Sequence, residues 1–161
     1  MLSRPIRDST LQFRVLGPLE VLRDGAPVRI GGPRPRTLLA LLLLDVGRVV
    51  SVDQIIEAVW VDRPPETAAH AVEVHVSQLR KALEPARSGG RTSAVLVTQA
   101  PGYVLDVPAD EIDAFLFRSL AERGGSALLR GDHEVAGSLL GDALALWRGP
   151  ALQDFAYQPF A

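Results

Sequence analysis

From Leu38 to Leu44 the chain runs through seven consecutive apolar residues and is then closed by Asp45. A helix built from such a run has no polar face, so it must be enclosed on every side. The run is far short of the ~20 residues that span a bilayer. It also lies too deep in the chain, behind Gly-Pro-Arg, to be a secretory leader. The rest of the chain must therefore wrap other elements around one central helix. At 161 residues, 47% of them hydrophobic, it is long enough to do so as one domain, or one plus a fragment. It contains no cysteine, which excludes a disulfide scaffold, a thiolate metal site, an iron–sulfur cluster and a cysteine nucleophile.

The flanking elements can be read from periodicity. Residues 1–11 are polar and without period, and read as a disordered tail. Between Phe13 and Ile30 short alternating runs are punctuated by Gly17-Pro18 and Asp24-Gly25; Asp-Gly between such runs is a hairpin signal. A small antiparallel sheet is expected there. A helix over 36–45 follows, then one bridging strand at 48–51. The next helix runs from Val52 to about Trp60, opened by Ser51 with Gln54 at the capping-box spacing. Arg63-Pro64-Pro65 makes a stiff loop. Another helix covers 66–83, and Ser88–Ser93 is a Gly/Ser/Arg loop. Two strand-like runs, 94–98 and 103–107, are joined by Gln99-Ala100-Pro101-Gly102 as a second hairpin.

Beyond Asp110 the pattern changes to two helices, turned at Arg130-Gly131-Asp132. The charge changes with it. Residues 1–108 hold 13 basic and 11 acidic side chains, whereas 109–161 hold 4 and 8. The second helix carries Ala136, Leu139, Leu140, Ala143, Leu144 and Trp147 at helical spacing. Trp147 is expected to pack with Leu140, Leu144, Ile112, Leu116 and Leu120. One helical pair is fewer than the roughly three units that stacked helical repeats use to bury a shared core, so this part reads as the opening of a larger array.

Enzyme chemistry finds little support. Gly31-Gly32-Pro33-Arg34-Pro35-Arg36-Thr37 precedes a helix but lacks the Gly-Lys-Ser/Thr ending of a phosphate loop, and its prolines remove backbone donors. His70 and His75 project about 140° apart on their helix, so they cannot share a metal. No serine has a recognisable His/Asp partnership. No catalytic residue and no cofactor is expected.

The helix at 66–83 is the informative element. Ala68, Val72, Val76, Leu79 and Leu83 form a core stripe within about 40° of one line. The opposite side presents Thr67, His70, Val74, Ser77, Gln78 and Lys81, with Arg80 and His75 on the flanks. A solvated face usually carries Glu and Lys. Short polar groups around an exposed valine suit a major groove instead, where glutamine can read a base edge and a valine methyl can meet thymine. Arg80 and Lys81 suit phosphates, which position without specifying. A partner-binding or plainly solvated face is the competing reading.

The run VEVHVSQLRKALEP at 72–85, followed by LVTQAPGYVL at 96–105, resembles the recognition helix and wing of OmpR/PhoB-type winged-helix domains. With FRVLGPLEV, TLLALLLLDVGRVVSVDQIIEAVW and ALALWRGPAL, the chain is similar to the Streptomyces antibiotic regulatory protein family of transcriptional activators. The resemblance implies an α+β winged helix-turn-helix over 12–108: an N-terminal antiparallel sheet, three helices and a wing hairpin. It implies that 109–161 begins an all-α, tetratricopeptide-like bacterial transcriptional activator domain.

It further implies double-stranded DNA as partner, bound as two protomers on a direct repeat, and a cytoplasmic, nucleoid-associated activator of a biosynthetic gene cluster. Thr67, His70, Val74, His75, Ser77 and Gln78 would lie near bases or adjoining phosphates. Arg80 matches a phosphate-contacting arginine, with Lys81 beside it, and Tyr103 matches a tyrosine packed under the wing. Arg34 and Arg36 open a helix where a phosphate suits the dipole. The loop Val61–Glu66, with Asp62, Arg63 and Glu66, matches a segment that faces RNA polymerase in related activators. Ala69 and Glu73 stand where relatives carry basic or amide residues, and Gln99 where an arginine commonly enters the minor groove. A winged helix that docks proteins rather than DNA is the alternative.

Overall fold

The computed structural model describes residues 10–85 and 94–160. The expected tail, apart from its last two residues, and the loop Ser88–Ser93 lie outside them. β1 (Leu11–Arg14), β2 (Glu20–Arg23) and β3 (Ala26–Pro27) form an antiparallel sheet in that order. Leu11 is already buried and paired with Arg23, so the sheet begins inside the segment read as a tail. The β2–β3 turn places both Asp24 and Gly25 at positive φ, the geometry that Asp-Gly tolerates and that matches the twist of a tight hairpin.

α1 (Pro33–Leu44) starts three residues before the helix read from periodicity. Proline at the first helical position has no N–H to orphan there and a φ already set for the helix. Leu38, Leu39, Ala40, Leu41, Leu42 and Leu43 are all buried. They are enclosed by α2 (Val52–Val59), α3 (Ala68–Leu83) and the sheets, as a helix without a polar face requires. Ser51 caps α2: its hydroxyl accepts from Gln54 N–H while the Gln54 side chain accepts from Ser51 N–H.

The second sheet has the order β4-β6-β5, with β4 (Val50–Ser51), β5 (Leu96–Gln99) and β6 (Gly102–Leu105) antiparallel. Gly102 is where β4 crosses closest. A Cβ built there would stand 1.8 Å from the Val50 carbonyl oxygen, so only glycine fits.

α4 (Asp113–Leu129) and α5 (His133–Ala145) form the helical pair. Gly124 lets Leu140 approach: a Cβ there would meet the leucine side chain at 2.7 Å. The expected Trp147 cluster is not a buried core: Leu116, Leu144 and Trp147 are all exposed. α5 ends at Ala145, before the periodic stripe reaches Trp147. Trp147 is 43% exposed, with its ring against the edge of Phe117, and Leu144 is 68% exposed. Ile112 is buried instead in the main core, bridged to Phe13 of β1. Leu152 and Phe155 join that same core from beyond α5. No helix among the described residues is long and apolar enough to cross a membrane.

Candidate nucleic-acid interface

All five core-stripe residues of α3 are buried. Its outer side exposes Ala69, His70, Glu73, Val74, Ser77, Gln78 and Lys81. They follow one another at three- and four-residue steps, which makes a single uninterrupted ridge. Thr67 is exposed at the N-cap. Of the residues read from sequence, Thr67, His70, Val74, Ser77, Gln78 and Lys81 are therefore brought together on one surface.

The two flanks of α3 are anchored differently. On one, Arg80 donates from Nε to the Leu96 carbonyl at 2.9 Å and from an Nη to the Thr98 hydroxyl at 2.8 Å. Its guanidinium also lies 5.9 Å from the centre of the Tyr103 ring. Arg80 thus staples α3 to the wing, and its charge lies between the two. Burial pushes the Tyr103 phenol above its ordinary range; the Glu73 carboxylate acts in the same direction and Arg80 opposes both. Gln99 is exposed at the end of β5 and pairs across the wing with Gly102.

On the other flank His75 turns inward. Its ring stacks on Trp60 with centroids 6.1 Å apart, and the Arg34 guanidinium sits 5.3 Å from the centre of the same indole. Two open cavities, of about 540 and 710 Å³, border this cluster. Gly31, Pro33 and Gln78 help line the first; Arg63, Pro65 and Glu66 help line the second; Arg34 and His75 line both. Asp62, Arg63 and Glu66 are exposed on the loop ahead of α3.

Arg34 and Arg36 do not share a role. Arg36 donates to the Leu19 carbonyl at 2.9 Å and is paired with Asp154, so it faces the segment beyond α5. Trp60, the mount for both Arg34 and His75, is read from the sequence only as the last apolar residue of its helix. Its signal was there: an indole at the end of a short amphipathic helix, immediately before a proline loop. Along the ridge itself, His70 Nδ1 and Glu73 Oε2 lie 3.2 Å apart, a pair open to solvent. Among the described residues no three metal-ligating side chains converge.

Residues 28–105 match the family model described as "Transcriptional regulatory protein, C terminal", and residues 112–161 match "Bacterial transcriptional activator domain". The chain is 39% identical over 158 residues to the transcriptional regulatory protein EmbR of Mycobacterium tuberculosis, covering 96% of this chain and 40% of that protein. It is 35% identical over 147 residues to the regulatory protein DnrI of Streptomyces peucetius, covering 89% of this chain and 54% of that one. A solved structure of EmbR from Mycobacterium tuberculosis, in complex with a low-affinity phosphopeptide, superposes with a TM-score of 0.86 at 37% identity over 95% of this chain and 40% of that one. The chain thus spans about half or less of the length of these relatives. With a winged helix followed by a segment that matches the bacterial transcriptional activator domain, it belongs to the Streptomyces antibiotic regulatory protein family of transcriptional regulators.

Proposed function

We propose that the chain is the sequence-specific DNA-binding part of a transcriptional activator and carries no catalysis. The observation that carries this reading is the α3 ridge: one continuous exposed row in which His70, Ser77 and Gln78 surround Val74, with Glu73 and Lys81 on the same surface, backed by a fully buried opposite stripe. Such a helix fits the major groove. Thr67, His70, Val74, Ser77 and Gln78 meet base edges or adjoining phosphates. Lys81 and Arg34 take phosphates, and Gln99 at the wing approaches the neighbouring minor groove. Arg80 acts chiefly by holding the wing against α3. The loop bearing Asp62, Arg63 and Glu66 faces RNA polymerase. The protein works in the cytoplasm on nucleoid DNA, at the promoters of a biosynthetic gene cluster.

Two protomers bind side by side on a direct repeat, with repeats about 10–11 base pairs apart so that both α3 helices use one face of the duplex. A salt-dependent mobility shift on random duplexes, followed by footprinting of an enriched site, tests this. Two equally oriented protected half-sites are expected. A palindromic footprint, or no shift at low salt, would reject the reading.

One observation favours a second reading, a protein-docking module. Leu129 is 90% exposed, and Val135 and Leu144 are also exposed on the helical pair. A chain that fails to shift any duplex would bring this reading forward.

A further inference from the structure

One end of the Gln78 amide is engaged on its own helix. Its Oε1 lies 3.4 Å from Nδ1 of His75, one helical turn earlier. His75 is itself immobilised, stacked on the Trp60 indole, which is buried at the end of α2. The other ring nitrogen, Nε2, is enclosed and has no hydrogen-bond partner among the described residues.

The two neutral tautomers of His75 therefore differ. A proton on Nε2 would leave an orphaned buried N–H, and such donors are rare in folded proteins because nothing repays their desolvation. A proton on Nδ1 meets an acceptor, Gln78 Oε1. Of the two, the Nδ1–H form wastes less.

We propose that His75 is a positioning residue: its Nδ1–H draws back the Gln78 carbonyl, so that Gln78 leads into the groove with its amide NH2. This rests on the reading of α3 as a DNA-reading helix and adds a base preference to it. An NH2 seeks acceptor edges, guanine O6 and N7 or thymine O4. It disfavours adenine, whose two-point pairing with glutamine needs the carbonyl as well.

The experiment is enrichment from a pool of randomised duplexes by the intact chain and its variants, with melting curves to establish folding. Gln78→Ala, at an exposed position, identifies the base pair that Gln78 reads, because preference flattens there alone. In the unaltered chain that position is expected to hold guanine or thymine, with adenine about tenfold weaker, the scale of one good base contact. His75→Phe keeps a ring against Trp60 and deletes the donor. Adenine should then be admitted at that position, with every other position of the motif unchanged. Should His75→Phe not fold, Gln78→Glu decides: it has no NH2 to offer, and the preference should swing to cytosine.

Adenine at the Gln78 position of the unaltered chain would overturn the proposal. So would a His75→Phe motif identical to the original, or a Gln78→Glu motif that keeps guanine or thymine. Enrichment of no motif at all would instead overturn the DNA reading on which the proposal stands.

Discussion

Asp113 reaches across 98 residues of sequence to accept the backbone N–H of Val15 at 2.8 Å with one carboxylate oxygen, and with the other that of Leu16 at 3.1 Å. Asp113 is the first residue of α4 and is 8% exposed, so the start of the helical pair is fastened to the end of β1. Arg148 closes the same loop from the other side: its backbone N–H donates to Leu16, and its guanidinium donates to the Pro18 carbonyl at 2.9 Å. Asp113→Ala would strand two buried N–H groups. At about 1–3 kcal/mol for each unsatisfied donor, the loss should be roughly 2–6 kcal/mol in urea denaturation. Asp113→Asn keeps one acceptor and should lose less. A single transition that moves as a whole is expected, since the start of α4 and the segment beyond α5 are packed into the core of the winged helix.

The phenol of Tyr103 supplies a pH dependence. Burial is the main cause that raises its pKa above the ordinary value, with Glu73 adding to the rise and Arg80 opposing it. A raised acid pKa means that the folded state keeps the proton when the unfolded chain has released it. Its contribution to stability is therefore intact below the unfolded value of about 10, and is lost as pH climbs through the folded value. Denaturation midpoints from about pH 9 to 11 should fall less steeply for Tyr103→Phe than for the unaltered chain. Absorbance at alkaline pH should show the Tyr103 phenol ionising above its ordinary range.

The two tryptophans should separate by environment. Trp60 is buried under Arg34 and His75, whereas Trp147 is 43% exposed against the edge of Phe117. Trp147→Phe should remove the red-shifted, readily quenched part of the emission. Trp147→Ala should cost well below the ~3–5 kcal/mol of a fully buried tryptophan. Equal quenching of both indoles by iodide would count against this arrangement.

These residues also show what periodicity can and cannot carry. The α3 core stripe, the Ser51–Gln54 capping box and the Asp24-Gly25 turn depend on neighbours within a few positions, and each was readable from the sequence. The exposed α3 ridge followed from the same wheel. Trp147 and Leu144 misled because the apolar spacing runs past the point where α5 stops. Ile112 was drawn to the helical pair by proximity in sequence, whereas Phe13 claims it from the other end of the chain. Arg34 and Arg36, two residues apart in one basic motif, look alike until Asp154 is placed beside the second.

That distinction gives the sharpest test of the interface. The Arg34 guanidinium rests on an indole face beside the ridge, at the border of two cavities open to solvent. Arg36 is held by Asp154 and the Leu19 carbonyl. Each cation that neutralises a duplex phosphate adds about 0.9 to the slope of log affinity against log salt concentration. Arg34→Gln should therefore weaken binding and flatten that slope by about one unit. Arg36→Gln should leave the slope alone and lower the melting temperature, because it severs a contact between α1 and the segment beyond α5. A mobility-shift series from low to moderate salt, run beside melting curves, reads both effects. If Arg36→Gln flattens the slope and Arg34→Gln does not, the phosphate lies at the Asp154 side of α1, and the duplex approaches by a different face from the α3 ridge.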